Sequence, residues 1–103
     1  MRAHTTVALC VLAACSSTPP AKETSAIVQA AQTIERRASQ AFAKGEFDTA
    51  AGGYESAALV YETLALAEPQ ARARLSQARA MAEAGQPQLA LPLVEAEIGR
   101  AHV

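Results

Sequence analysis

The chain has 103 residues, half of them apolar, and a formal charge of −1 at pH 7. That length allows one small domain, and the near-zero charge supplies no basic field to gather nucleic acid, so no nucleic-acid partner is expected. Much of the apolar share is alanine, and the aromatics are confined to Phe42, Phe47, Tyr54 and Tyr61; helix propensity is high while the area available for burial is small.

The chain opens with Met1-Arg2-Ala3-His4-Thr5-Thr6, followed by the apolar run from Val7 to Ala14. A positive tip, a run of eight or so apolar residues and small residues at its end read as a secretory signal peptide. The run is too short to span a bilayer, which takes about 20 apolar residues. A buried N-terminal helix is the alternative, and the abrupt change to Ser16-Ser17-Thr18-Pro19-Pro20 argues against it. Cys15 stands at that change, open to reading as a core cysteine, half of a disulfide or a modified anchor.

Leu12-Ala13-Ala14-Cys15 resembles the lipobox of bacterial lipoproteins, in which a branched apolar residue and two small ones precede a cysteine. The resemblance implies a diacylglyceryl group on the Cys15 thiol, cleavage after Ala14 and Cys15 as the first mature residue. In many Gram-negative bacteria the new amine is acylated as well. One chain binds a membrane marginally, whereas two or three hold effectively for good. Cys10 would leave with the signal, so no disulfide to Cys15 survives cleavage. Ser16, standing where an aspartate would favour inner-membrane retention, implies export to the outer membrane, facing the periplasm. Ser16 to Thr24 then reads as a proline-containing tether that reaches at most about 30 Å, at roughly 3.3 Å per residue.

From Thr24 the apolar residues recur at helical spacing. A first helix is expected from a Thr24 or Ser25 cap to about Lys44, with Ile27, Ala30, Ala31, Ile34, Ala38, Ala41 and Phe42 on one stripe and Gly45 ending it. A second is expected from Phe47 to about Glu68, stopped by Pro69, with Phe47, Ala50, Ala51, Tyr54, Ala57, Ala58, Tyr61 and Leu64 inward. Gly52-Gly53 either weakens this helix or admits a close neighbour. A third runs from about Pro69 to Ala84, with Leu75, Ala78, Met81 and Ala82 inward and Gly85 after it. Pro87 suits the first turn of a fourth helix, apolar at Leu89, Ala90, Leu93 and Val94 and kinked at Pro92.

Gly45-Glu46-Phe47-Asp48-Thr49-Ala50 aligns with Gly85-Gln86-Pro87-Gln88-Leu89-Ala90 at an offset of 40 (85 − 45), bringing Ala38 onto Ala78 and Tyr54 onto Val94. Ala38, Gly45, Phe47, Ala50, Tyr54 and Ala57 resemble the tetratricopeptide repeat in order and spacing. Pro69 takes the part of its closing proline about seven residues late, and Pro87 and Val94 replace aromatics in a weaker second copy. The resemblance implies an all-α fold of antiparallel helix pairs, about four helices in all. An alanine-rich hairpin or coiled coil is the plainer alternative.

Ile98-Gly99-Arg100-Ala101-His102-Val103 would be encoded by ATC GGA AGA GCA CAC GTC, which resembles the start of a common DNA-sequencing adapter. The expected organisation is a signal peptide over 1–14, a lipidated tether over 15–24, a helical domain over 25–97, cut short at its end, and a non-native tail over 98–103.

No catalytic constellation can be assembled. His102 and Asp48 are the sole histidine and aspartate after the signal, and no unmodified thiol remains to pair with a base. Glu95 and Glu97 stand two apart on a helix and point in different directions; Glu55 and Glu62 read as a solvated stripe. No metal site, cofactor or small-molecule substrate is expected. Arg72 and Arg79 share a helix face at seven-residue spacing with Arg74 to one side, which reads as a solvated surface or as a contact for an acidic partner or lipid headgroups. The function expected is therefore non-catalytic: a membrane-held adaptor docking an envelope protein in a groove lined by Tyr54, Tyr61 and Arg79. A self-associating structural lipoprotein, or the accessory N-terminal part of a longer enzyme, are the alternatives.

Overall fold

Four helices account for the architecture of the described residues, and three turns of one design set their spacing. The computed structural model of the chain describes residues 21–101; the signal peptide, Ala14, Cys15, most of the tether and His102 lie outside the described residues. The helices are α1 (Ala21–Ala43), α2 (Phe47–Thr63), α3 (Ala67–Glu83) and α4 (Pro87–Ala101), with no strand among the described residues. The fold is all-α, built of antiparallel helix pairs, and each helix packs chiefly on its chain neighbours.

Every helix junction closes in the same way. Gly45 (φ 83°), Ala65 (φ 57°) and Gly85 (φ 86°) take the left-handed conformation just past α1, α2 and α3. At each, the N–H of the following residue donates back to the fifth residue before it: Glu46 to Ala41, Leu66 to Tyr61 and Gln86 to Met81, all at 2.9 Å. The left-handed residue itself donates to the third residue before it, at 3.0–3.1 Å. This double closure satisfies carbonyls the helix end would leave unpaired. The turns recur every 20 residues, so two helices make the 40-residue offset seen in the sequence.

The second turn corrects the expected course of the chain. α2 ends at Thr63 rather than near Glu68, and Pro69 lies inside the first turn of α3. There its missing N–H costs nothing, because the first four donors of a helix have no intrahelical acceptor. The break falls on an alanine, where the left-handed backbone costs about 1–2 kcal/mol. Leu66 offsets this by packing on the buried cluster around Tyr61, as the residue after such a turn commonly does. α1 likewise begins at Ala21, so Thr24 and Ser25 lie within it rather than capping it. α4 starts at Pro87 as expected and runs as one helix through Pro92 and on past Glu97, where Arg100 pairs with Glu97 at 2.8 Å.

Two small clusters hold α1, α2 and α3 together. Ala31, Ala57, Ala58 and Ala73 surround Tyr61, with Ile34, Val60 and Leu66 against them. Ala41, Ala50, Ala51 and Ala80 form the other, with Phe42, Tyr54 and Met81 at its border. The inward faces expected for α1 and α2 are largely those observed, except that Ile27 and Ala30 are exposed. For α3 the expected face holds in part: Ala78 is buried and Met81 packs against the second cluster. Gln70, Ala73, Gln77, Ala78 and Ala80 are buried, whereas Leu75 and Ala82 are exposed. α3 is sandwiched between α2 and α4, and small side chains on its inner faces are what permit both approaches. On α4, Ala90 is buried, Leu93 and Val94 are half-buried and Leu89 is exposed.

Gly52 and Gly53 have different surroundings. A Cβ on Gly53 would come 2.8 Å from the Cβ of Ala38, while one on Gly52 would meet nothing within 4 Å. Gly53 thus admits a close approach of α1 at Ala38. At the junction of α1 and α2, Phe42 and Phe47 meet edge to face with ring centres 5.1 Å apart, a favourable aromatic geometry.

Candidate docking groove

The polar sides of α1 and α3 face one another across α2 and leave a groove between them. Residues three, four and seven apart on a helix share a face. On α1, that spacing puts Gln32, Glu35, Arg36 and Ser39 along one wall; Arg72 and Ser76 of α3 form the other, and Tyr54 of α2 the floor. The space encloses about 320 Å³. Through Ser39, Tyr54 and Ser76 it continues into a hollow of about 100 Å³ bordered by Phe42 and Arg79.

The Arg79 guanidinium lies 4.8 Å above the centre of the Phe42 ring. That cation–π contact orients a long side chain that would otherwise be free. Arg36, Arg72 and Arg79 therefore supply three cations to the groove against the single carboxylate of Glu35. Tyr61 lies two turns further along α2 in the other buried cluster, only 1% exposed, and its hydroxyl donates to Glu35 Oε2 at 3.0 Å. Burial, together with the hydrogen bond and negative charge of Glu35, raises the Tyr61 pKa above its usual 10.0, and Arg72 opposes the shift. The phenol remains a neutral donor at physiological pH and holds the Glu35 carboxylate against the groove wall.

Of the three residues expected to meet a partner, Tyr54 and Arg79 line the groove; Tyr61 belongs to the core and acts there through Glu35. Arg72 faces the groove together with Arg79, while Arg74 turns aside, 3.7 Å from Glu62 and donating to Gln77 Oε1 at 3.0 Å. The sequence reading missed the α1 wall. Its signal was present, since Gln32, Glu35, Arg36 and Ser39 follow helical spacing, but a polar stripe there was not distinguished from a solvated face.

Among the described residues, no three His, Cys, Asp or Glu side chains are grouped so as to hold a metal ion, and no helix is long and apolar enough to cross a membrane. Glu97 is buried and paired with Arg100, while Glu95 is exposed. Comparison with protein-family models, with curated proteins and with solved structures gives no match to this chain. The class defined by the fold is an all-α array of antiparallel helices carrying a polar groove.

Proposed function

We propose that the chain is a lipid-anchored protein of a Gram-negative cell envelope that docks a partner protein without catalysis, receiving an acidic segment of it in the groove above α2. The groove carries this reading: three arginines, two serine hydroxyls and a tyrosine converge on a cleft. Charge-assisted hydrogen bonds from guanidinium to carboxylate are the strong ones available at such a surface. The anchor rests on the Leu12-Ala13-Ala14-Cys15 motif. Lipidation at Cys15 after cleavage at Ala14 would keep the groove close to the outer membrane, and confinement there raises the effective concentration of envelope partners. Paired antiparallel helices with alanine at close contacts support the tetratricopeptide-like reading. Its unit of 40 residues departs from the family's usual length of about 34.

Photo-crosslinking in cells tests both parts. A photoreactive phenylalanine at Tyr54 or Ser76 is expected to yield a discrete crosslinked product in the envelope fraction. One at Ser56, exposed on α2, should not, and Arg79→Glu should cut the Tyr54 product about tenfold, the equivalent of about 1.4 kcal/mol. Cys15→Ser should leave an uncleaved precursor and release the chain from its membrane fraction on alkaline washing. Equal products from Tyr54 and Ser56 would remove the docking groove, and normal processing of Cys15→Ser would remove the anchor.

A further inference from the structure

Glu35 brings the one negative charge to the groove above α2, and where it is held decides how much cationic charge the groove offers. It stands on α1 beside Gln32, Arg36 and Ser39 and shares the space with Arg72 of α3. Coulomb attraction alone would carry it to Arg72. Yet the ion pairs among the described residues are Arg74 with Glu62 and Arg100 with Glu97, and Arg72 is in neither. Glu35 Oε2 instead accepts the Tyr61 hydroxyl at 3.0 Å, and the Tyr61 ring is packed among Ala31, Ala57, Ala58 and Ala73. Arg36 does not compete for the carboxylate. Neighbours one apart on a helix point in different directions, and Arg36 donates to Thr33 Oγ1 at 3.3 Å.

Two interactions contend for Glu35, and their strengths are unequal. A phenol donating to a carboxylate makes a charge-assisted hydrogen bond, about twice as strong as a neutral one. Its donor is already fixed by the core, so little side-chain freedom is lost in making it. An ion pair with Arg72 must order an exposed arginine and is screened by salt, which leaves such pairs little net worth. The phenol wins, and Arg72 stays open. The Arg72 charge is nevertheless felt at the same hydroxyl, where it opposes the rise in the Tyr61 pKa. The guanidinium is therefore close enough to take Glu35 once the hydroxyl is gone.

We propose that Tyr61 is a positioning residue for the groove: by holding Glu35 on the α1 wall, its hydroxyl keeps Arg72 unpaired and available to an anionic ligand. The proposal rests on the reading of the groove as the seat of an acidic segment, and adds what sets its strength. Without the hydroxyl, Glu35 turns onto Arg72 and the groove neutralises part of its own charge, leaving Arg36 and Arg79 to meet the ligand. A core side chain that never touches the partner thereby controls how tightly the partner is held.

Phenylglyoxal, which modifies unpaired guanidinium groups, tests the position of Glu35 without any ligand when the modified residues are located by peptide mass mapping. Arg72 is expected to react about threefold more slowly in Tyr61→Phe than in the parent, the scale of an exposed ion pair. Adding Glu35→Gln should restore the parent rate, because an amide carries no charge to pair with Arg72. Arg37, exposed on α1 and bordering a separate hollow with Thr49 and Gly53, serves as the internal reference. Docking is read by anisotropy with labelled hexaglutamate at low ionic strength, where screening is weakest. Tyr61→Phe should weaken binding about threefold, whereas in the Glu35→Gln background the same substitution should leave it unchanged. A loss of core stability alone would weaken binding in both backgrounds alike. An unaltered Arg72 rate in Tyr61→Phe, or equal weakening in the two backgrounds, overturns the proposal. If Arg72 is protected in Tyr61→Phe while the parent binds hexaglutamate no better than hexaglutamine, the acidic-segment reading falls and the hold of Tyr61 on Glu35 stands.

Discussion

Tyr61→Ala is expected to abolish the cooperative thermal transition of the helical domain, read by circular dichroism at 222 nm. Tyr61 is the only large side chain of the described residues that is fully buried, and its companions in the core are mostly alanines. Removing a buried aromatic ring costs about 3–5 kcal/mol through lost transfer energy and the cavity left behind. A domain of this size has about 5–10 kcal/mol in all, and an alanine core places this one low in that range. Tyr61→Phe keeps the ring and removes only the hydroxyl that donates to Glu35, so it should cost about 1–2 kcal/mol. The parent and Tyr61→Phe also separate in alkali. Because the folded pKa of Tyr61 is raised, its contribution is fully present below pH about 10, where the unfolded phenol titrates, and is lost as pH rises through the folded value. The parent should lose stability over that window by a step that Tyr61→Phe lacks. A Tyr61→Ala chain melting within a few degrees of the parent would show that the ring is not the centre of the core.

The second large effect separates two adjacent glycines. Gly52→Ala should stabilise α2 by about 0.5–1 kcal/mol, because alanine is the better helix former and nothing obstructs its methyl group. Gly53→Ala gains the same propensity but places that methyl 2.8 Å from the Ala38 Cβ and 3.5 Å from its Cα. The obstruction is close to backbone, so α1 and α2 must separate, and overpacking of this kind costs about 1–3 kcal/mol. Gly53→Leu should prevent α1 from docking altogether. Combining Gly53→Ala with Ala38→Gly should recover most of the loss, since the methyl then has room. Urea midpoints for the four variants decide the matter; if Gly53→Ala and Gly52→Ala shift the midpoint upward alike, the helices do not meet there.

What the sequence made legible follows from which residues announce a backbone state. Gly45 and Gly85 marked their turns because glycine takes positive φ without strain, and Pro87 marked a helix start. Ala65 does the same work as the two glycines but carries no such signal, so the first residue to announce a stop after Tyr61 is Pro69. The faces of α1 and α2 were readable because their buried residues, such as Ala31, Ala38, Ala50, Ala57 and Tyr61, follow the apolar stripe. On α3 the buried positions are taken by Ala73, Ala78 and Ala80 while the larger Leu75 is exposed, so apolar size misleads there. The groove was legible in part. Arg72 and Arg79 share a face at seven-residue spacing, and Tyr54 sits on the floor between α1 and α3. Tyr61 keeps nearly the same angle as Tyr54, yet it lies one turn pair further along, under the cover of Ala73 and Leu66, which spacing within α2 alone does not reveal.

The regular placement of the three turns bears on how such a chain can change length. Because each helix and its turn occupy 20 residues, inserting or deleting one such block reverses the direction of every helix downstream. A stretch that lined a groove is then carried to the opposite side. A block of 40 restores direction and leaves the groove intact. Length variation that preserves docking must therefore come in double steps, and the single helix, although it is the unit of folding geometry, is not the unit in which this surface can be lengthened.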